Sequence, residues 1–162
     1  MIPFEQIRKV MIEGLAAHLN VLVIEMNGAG KVPPYPFMTY DFTNEGSQVG
    51  QMAVTVEDDR QVYTGTVTLD VSFQSYAKDR IGSIEQANRA RDWFLTAGHW
   101  KLKDEVGLVV FQVGDSENRD IQIGDVWERR NGFDVSFRTQ NRIETILEPI
   151  ETIQVKGVES SE

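Results

Sequence analysis

Three groups of residues carry the side-chain types that chemistry needs. Gly28-Ala29-Gly30-Lys31 follows the apolar run Val21-Leu22-Val23-Ile24, the outline of a strand entering a loop whose backbone N–H groups cradle phosphate. The spacing fails. Glu25 stands where the first glycine is required, Val32 where a magnesium-touching Ser or Thr is required, and Pro33-Pro34 blocks the helix whose amino end would hold the anion. Asp115, Glu117, Asp120 and Asp125 offer oxygen ligands, but the glycine and terminal glutamate of a calcium loop are missing at their offsets, and a solvated turn is the simpler reading. His18 and His99 lie far apart, without metal-ligand spacing or a serine elbow, and read as helix-end residues. Asp58-Asp59 and Asp104-Glu105 are adjacent carboxylates that point in different directions and face water. No catalytic set emerges, and no cofactor or metal is implied.

Composition narrows the class further. The chain has 162 residues, 41% hydrophobic and 25% charged, which is ordinary for one folded domain. It has no cysteine, so disulfides, thiolate metal sites and Cys nucleophiles are excluded. The most apolar short run, Val21 to Ile24, is far below the roughly 18 residues of a membrane span, and the first ten residues lack the apolar core of a secretion signal. No membrane partner is expected, and synthesis in the cytoplasm is. A formal charge of −9 argues against gripping nucleic acid, which takes clustered Lys and Arg, but an acidic wall lets a polyanion slide past.

The elements that would carry any site follow from periodicity. Phe4, Ile7, Val10, Met11 and Leu15 behind Pro3 predict an amphipathic helix over residues 3–18. Strands are expected over 21–26 and 37–42, then a turn over 44–50, a short strand over 51–56 and a polar turn over 57–60. Residues 62–77 form the clearest strand: Tyr63, Val67, Leu69, Val71 and Phe73 alternate with Thr64, Thr66, Thr68, Asp70, Ser72 and Gln74, so one face is wet. Ser83-Ile84-Glu85-Gln86 fits a capping box and predicts a helix from 83 to a stop at Gly98, with Ala87, Ala90, Phe94 and Ala97 on one face and Trp100 and Leu102 packing its exit.

A strand is expected over 108–113 and a polar loop over 114–120, before a hairpin reversing at Asn131-Gly132, the strongest short hairpin signal, with Phe133, Val135 and Phe137 on the returning strand. Residues 143–155 read as an extended arm or edge strand. The predicted class is α+β, an antiparallel β-sheet with two helices packed on it, as one domain over residues 1–156 followed by an acidic flexible tail over 157–162.

The block from Ile123 to Arg138, Ile-Gly-Asp-Val-Trp-Glu-Arg-Arg-Asn-Gly-Phe-Asp-Val-Ser-Phe-Arg, resembles a family of phage neck and tail terminator proteins from long-tailed phages and prophages. The resemblance extends to Pro34-Tyr35-Pro36-Phe37-Met38-Thr39-Tyr40, to Ser72-Phe73-Gln74-Ser75-Tyr76 and to Ala87-Asn88-Arg89-Ala90-Arg91-Asp92-Trp93-Phe94, in the same order. It implies a structural virion protein and not an enzyme: a hexameric ring on the last ring of the tail tube that stops polymerisation and joins the tail to the neck. The implied partners are further copies of the chain, the tail tube protein and the neck connector or stopper, with a sheath as a further candidate. DNA would pass through without specific binding.

A ring needs a heterologous interface on every subunit, and an exposed strand edge or the expected hairpin can supply it by strand addition. Trp127, Arg129, Arg130, Asn131 and Phe133 are the candidate interface residues, and Asp58, Asp59, Asp115 and Glu117 the candidate acids of the bore. The alternative is a head-completion, stopper or other minor tail ring protein.

Overall fold

A computed structural model describes residues 1–147; the tail expected over 157–162 and the outer part of the arm expected to 155 lie outside the described residues. The order is α1 (Phe4–Leu19), β1 (Leu22–Glu25), β2 (Phe37–Glu57), β3 (Arg60–Ala77), α2 (Arg80–Leu95), α3 (Ala97–Val106), β4 (Val109–Val113), β5 (Glu117–Asn118), β6 (Ile121–Ile123) and β7 (Val126–Ile146). The sheet runs β1-β2-β3-β7-β4, with β5 and β6 also pairing with β7. The fold is α+β as expected, with one parallel pair, β1 on β2, in an otherwise antiparallel sheet.

The alternation of β3 sets the layers. Its odd-numbered residues Leu69, Val71 and Phe73 face the helices, together with Phe133, Val135 and Phe137 from β7, and meet Ile7, Met11 and Leu15 of α1 and Ala87, Ala90 and Phe94 of α2. Phe94 stacks edge-on against Phe133 and Phe137. The even-numbered residues of β3, from Thr64 to Gln74, face away from the helices, so the polar face read from the sequence is the uncovered one. Helix α1 closes as its pattern requires, with Asn20 in the left-handed region at φ 56° and its N–H donating to the Ala16 carbonyl.

Four local expectations are corrected. Asn131-Gly132 is no turn: it lies inside β7, paired with Ser75 and Gln74. The chain reverses instead at Gly124-Asp125, between the paired residues Ile123 and Val126, with Gly124 at φ 61°. Asn131 is there for its amide, which accepts from Arg80 and donates to Ser116. Gly132 is there because Arg119 crosses directly over it, only 2.6 Å from where a Cβ would stand. Tertiary contacts, not turn chemistry, select both residues.

Residues 44–50, expected as a turn, belong to β2. Their turn-forming types appear as bulges: between Phe42 and Ala53 β2 advances eleven residues while β3 advances seven. The capping box at Ser83 is also displaced. Helix α2 starts at Arg80 because Asp79 accepts from the Gly82 N–H at 2.5 Å, and Ser83 and Gln86 are buried. Gln86 donates to the Phe37 carbonyl and the Ser75 hydroxyl, tying helix to sheet.

Gly98 does not stop the helix. The chain breaks at Thr96 and continues as α3, a third helix, in which Gly98 leaves room for Trp93, whose ring would lie 2.5 Å from an added Cβ. Of the two residues expected to pack the exit, Leu102 is buried and Trp100 is exposed.

Candidate assembly surfaces

The sheet divides into two lengths. Toward one end, the head, three helices cover it. Beyond Val67 the strands β2, β3 and β7 run on together, through residues 48–57, 60–66 and 139–146, as a three-stranded arm extending about 23 Å at the usual rise per residue. At its tip, β2 and β3 join through Asp58-Asp59, with Asp58 at φ 54°.

Cross-strand pairing places Val54, Tyr63 and Ile143 in one row on the helix side of the arm, where no helix reaches. Val54 is 50% exposed and Ile143 44%. The opposite face is locked by charge. Arg60 donates to Glu144 at 2.7 Å, and Arg142 donates to Glu57 at 2.7 Å and to Glu144 at 2.9 Å. These four side chains surround Val62, which is 1% exposed although it sits in the projecting arm. Hydrogen bonds from Arg60 and then Arg142 hold the Glu144 carboxyl below its ordinary range. The ammonium group of Met1 donates to the Arg142 carbonyl, anchoring the N-terminus beside the arm.

At the head end, the β6–β7 hairpin is clamped by Asp120, which accepts from the Arg130 N–H at 2.7 Å and from Arg129 at 3.0 Å. Burial pushes this carboxyl up, but the hydrogen bonds from Arg130 and Arg129 and the nearby charges of Arg129 and Arg80 outweigh it, leaving the pKa below the usual range. Arg130 pairs with Glu128 and lies over the Tyr76 ring, 4.9 Å from its centroid. Tyr76 stacks on Phe37, and Phe37 on Tyr35, whose hydroxyl donates to Glu128 and is thereby pushed up in pKa.

The expected interface residues are therefore not one surface. Trp127 is half exposed on the hairpin, opposite Gln122, while Arg129 and Arg130 are committed to Asp120 and Glu128. Asn131 is buried, and Phe133, fully buried between Phe73 and Phe94, belongs to the core and offers nothing to a partner. The expected bore acids also separate. Asp58 and Asp59 sit at the arm tip, Glu117 pairs with Arg119 across the uncovered face, and Asp115 lies near Arg91 of α2. Sequence reasoning missed the arm's apolar row, although Val54 and Val56 alternate with polar neighbours, because the turn expected over 44–50 separated them from the preceding strand.

The loops weighed for chemistry do not converge. Gly28 to Lys31 form one lip of a groove of about 690 Å³ on the uncovered face and lead into β2, not into a helix. His18 contacts the Arg89 carbonyl, and His99 stacks edge-on against Trp100. Among the described residues no three His, Cys, Asp or Glu side chains gather as a metal site, and no helix is long and apolar enough to cross a membrane.

Among the described residues the sheet thus runs out of its own core into an arm that no helix covers on either face. The family model of phage neck terminator proteins matches residues 8–162, and the chain belongs to that family. This gives it a structural role in the tail and neck region of a virion. No curated protein sequence matches it.

Proposed function

We propose that the chain is a tail terminator: a ring, hexameric like the tube it closes, that sits on the last ring of the tail tube, stops its polymerisation and presents its other side to the neck connector. The arm carries this reading. Its strands are long and, among the described residues, uncovered by helices on both sides, a surface that a ring of identical subunits would cover. The work is assembly and not catalysis, and no cofactor takes part in it.

The uncovered face of the sheet is the proposed wall of the bore. It presents Asp41, Asp70 and Asp134 beside the threonines and serines of β3, and Glu117 is held over it by Arg119. Such a wall repels DNA in transit and binds none of it specifically. The test is a tail assembly reaction with and without the protein. With it, tubes end at a uniform length under a six-fold ring; without it, they overrun. Tubes of unchanged length in its absence would exclude a terminator and favour a stopper or another minor ring component.

A further inference from the structure

The two outer strands of the arm each end in a free edge. Strand β1 covers β2 only along Phe37–Tyr40, and β4, β5 and β6 together cover β7 no further than Arg138. Among the described residues, then, β2 from residue 53 to 57 and β7 from 143 to 146 have no strand on the side away from β3. Each presents a row of backbone N–H and C=O groups that no other described strand pairs with. Because β2 and β7 flank β3 on opposite sides, the two edges of one copy cannot meet.

We infer that these edges pair between neighbouring copies, β7 of one against β2 of the next, so that the arms join into a continuous belt. The inference rests on the ring reading above and names the contact that closes it. Strands β2 and β7 both run antiparallel to β3, so they point the same way, and in a ring whose axis follows the arms the new pair is parallel, as β1 and β2 already are. The contact uses a different patch on each partner, the heterologous kind that closes into a ring when its rotation allows.

Three observations favour a second copy as the occupant. The row Val54, Tyr63, Ile143 ends in an aliphatic side chain at each edge, so pairing sets Ile143 of one copy beside Val54 of the next and makes the apolar stripe unbroken. The two edges also bring no unpaired charge against one another: residues 53–57 carry only Glu57 and residues 143–146 only Glu144, and Arg142 and Arg60 neutralise both within the subunit. Among the described residues the N-terminal segment also stays off this stretch of β7, its Met1 ammonium donating to the Arg142 carbonyl immediately before it. A closed belt has no edge left to recruit stray strands, which an exposed arm otherwise invites.

The chain has no cysteine, which makes cross-linking decisive. Val54→Cys and Val56→Cys are each combined with Ile143→Cys and with Thr145→Cys, and the four double variants are oxidised both as purified protein and with tail tubes. Within one copy these positions are separated by β3, about 10 Å across two strand spacings, too far for a disulfide, so every bond formed joins two copies. The expected result is a covalent ladder extending past the dimer in at least one double variant, whereas single-cysteine variants stop at dimer. Adding Ile143→Lys to the Val56→Cys, Thr145→Cys protein removes the ladder without lowering the melting temperature, because Ile143 is exposed in the single subunit. If all four double variants stop at dimer in both preparations, the edge pairing is overturned. Tube length with the unmodified protein judges the terminator reading separately.

Discussion

The head and the arm are built from the same three strands, yet they are stabilised by different physics. In the head, Phe133, Val135 and Phe137 of β7 are fully buried under two helices. Ten residues beyond Phe133 along the same strand and on the same face, Ile143 pairs with Tyr63 and is 44% exposed. Alternation alone therefore does not make a core; it makes a face, and what covers that face decides its energetic role. In the head the cover is intramolecular, so the side chains stabilise the subunit. In the arm they add little to it, and in the proposed belt a neighbouring copy would cover them.

The sharpest way to test this contrast is a pair of truncations. Phe133→Ala should cost about 4 kcal/mol in denaturant unfolding, the range for a buried aromatic removed from a packed core. Ile143→Ala should cost less than about 0.5 kcal/mol in the isolated subunit, as exposed positions do. Comparable losses at the two sites would erase the distinction between head and arm.

A second perturbation acts on the uncovered side of the head. Gly132→Val places a branched side chain where the Arg119 guanidinium lies, breaking its bond to Ser72 and forcing β5 away. A loss of about 2 kcal/mol is expected, the scale of overpacking, with earlier proteolysis of the β5–β6 segment. If the variant melts like the parent, the strap formed by Arg119 is not structural.

Smaller again is the contribution of Asp120, and it depends on pH. Its pKa lies below the ordinary value near 3.9, so its stabilisation is present at neutral pH and is lost as pH falls through the folded-state value, below about 4. Asp120→Ala should lower stability by about 2 kcal/mol at pH 7, the scale of hydrogen bonds to a charged group, and the difference from the parent should shrink toward pH 3. A difference that stays constant across that range would show that the lost packing, and not the charge, mattered.

The weakest effect is expected in the arm. Arg142→Gln opens the charge network around Val62, and the small destabilisation that follows should disappear in high salt, because these groups are exposed and screened. Salt-independent destabilisation would mean that Val62 is held by packing instead.

The head was largely legible in the sequence. The period of α1 and the alternation of β3 are long signals whose faces point to one core, and both appear where expected within a residue or two. The misreadings share a cause. Asn131-Gly132, Ser83 with Gln86, and Gly98 are each a strong local signal, and in each the residue was selected by something distant in sequence: Arg80 and Arg119, Phe37 and Ser75, or the Trp93 ring. Local tolerance of a turn or a cap does not reveal which long-range contact requires the same residue. The candidate interface failed at Phe133 for a related reason, since a strand supposed to start at a turn was assigned to the surface when it runs through the middle of the sheet.

The bulges of β2 have a consequence for how the chain can vary in length. The four residues that β2 carries in excess of β3 between Phe42 and Ala53 are an even number, so Phe42 before them and Val54 after them face the same side. The irregular stretch thus acts as an expansion joint between two registers that must agree in phase but not in length. Removing or adding two residues there would leave the arm's faces as they are, whereas a change of one would exchange them, turning Val54 and Val56 toward the charge network and Thr55 and Glu57 toward the apolar row.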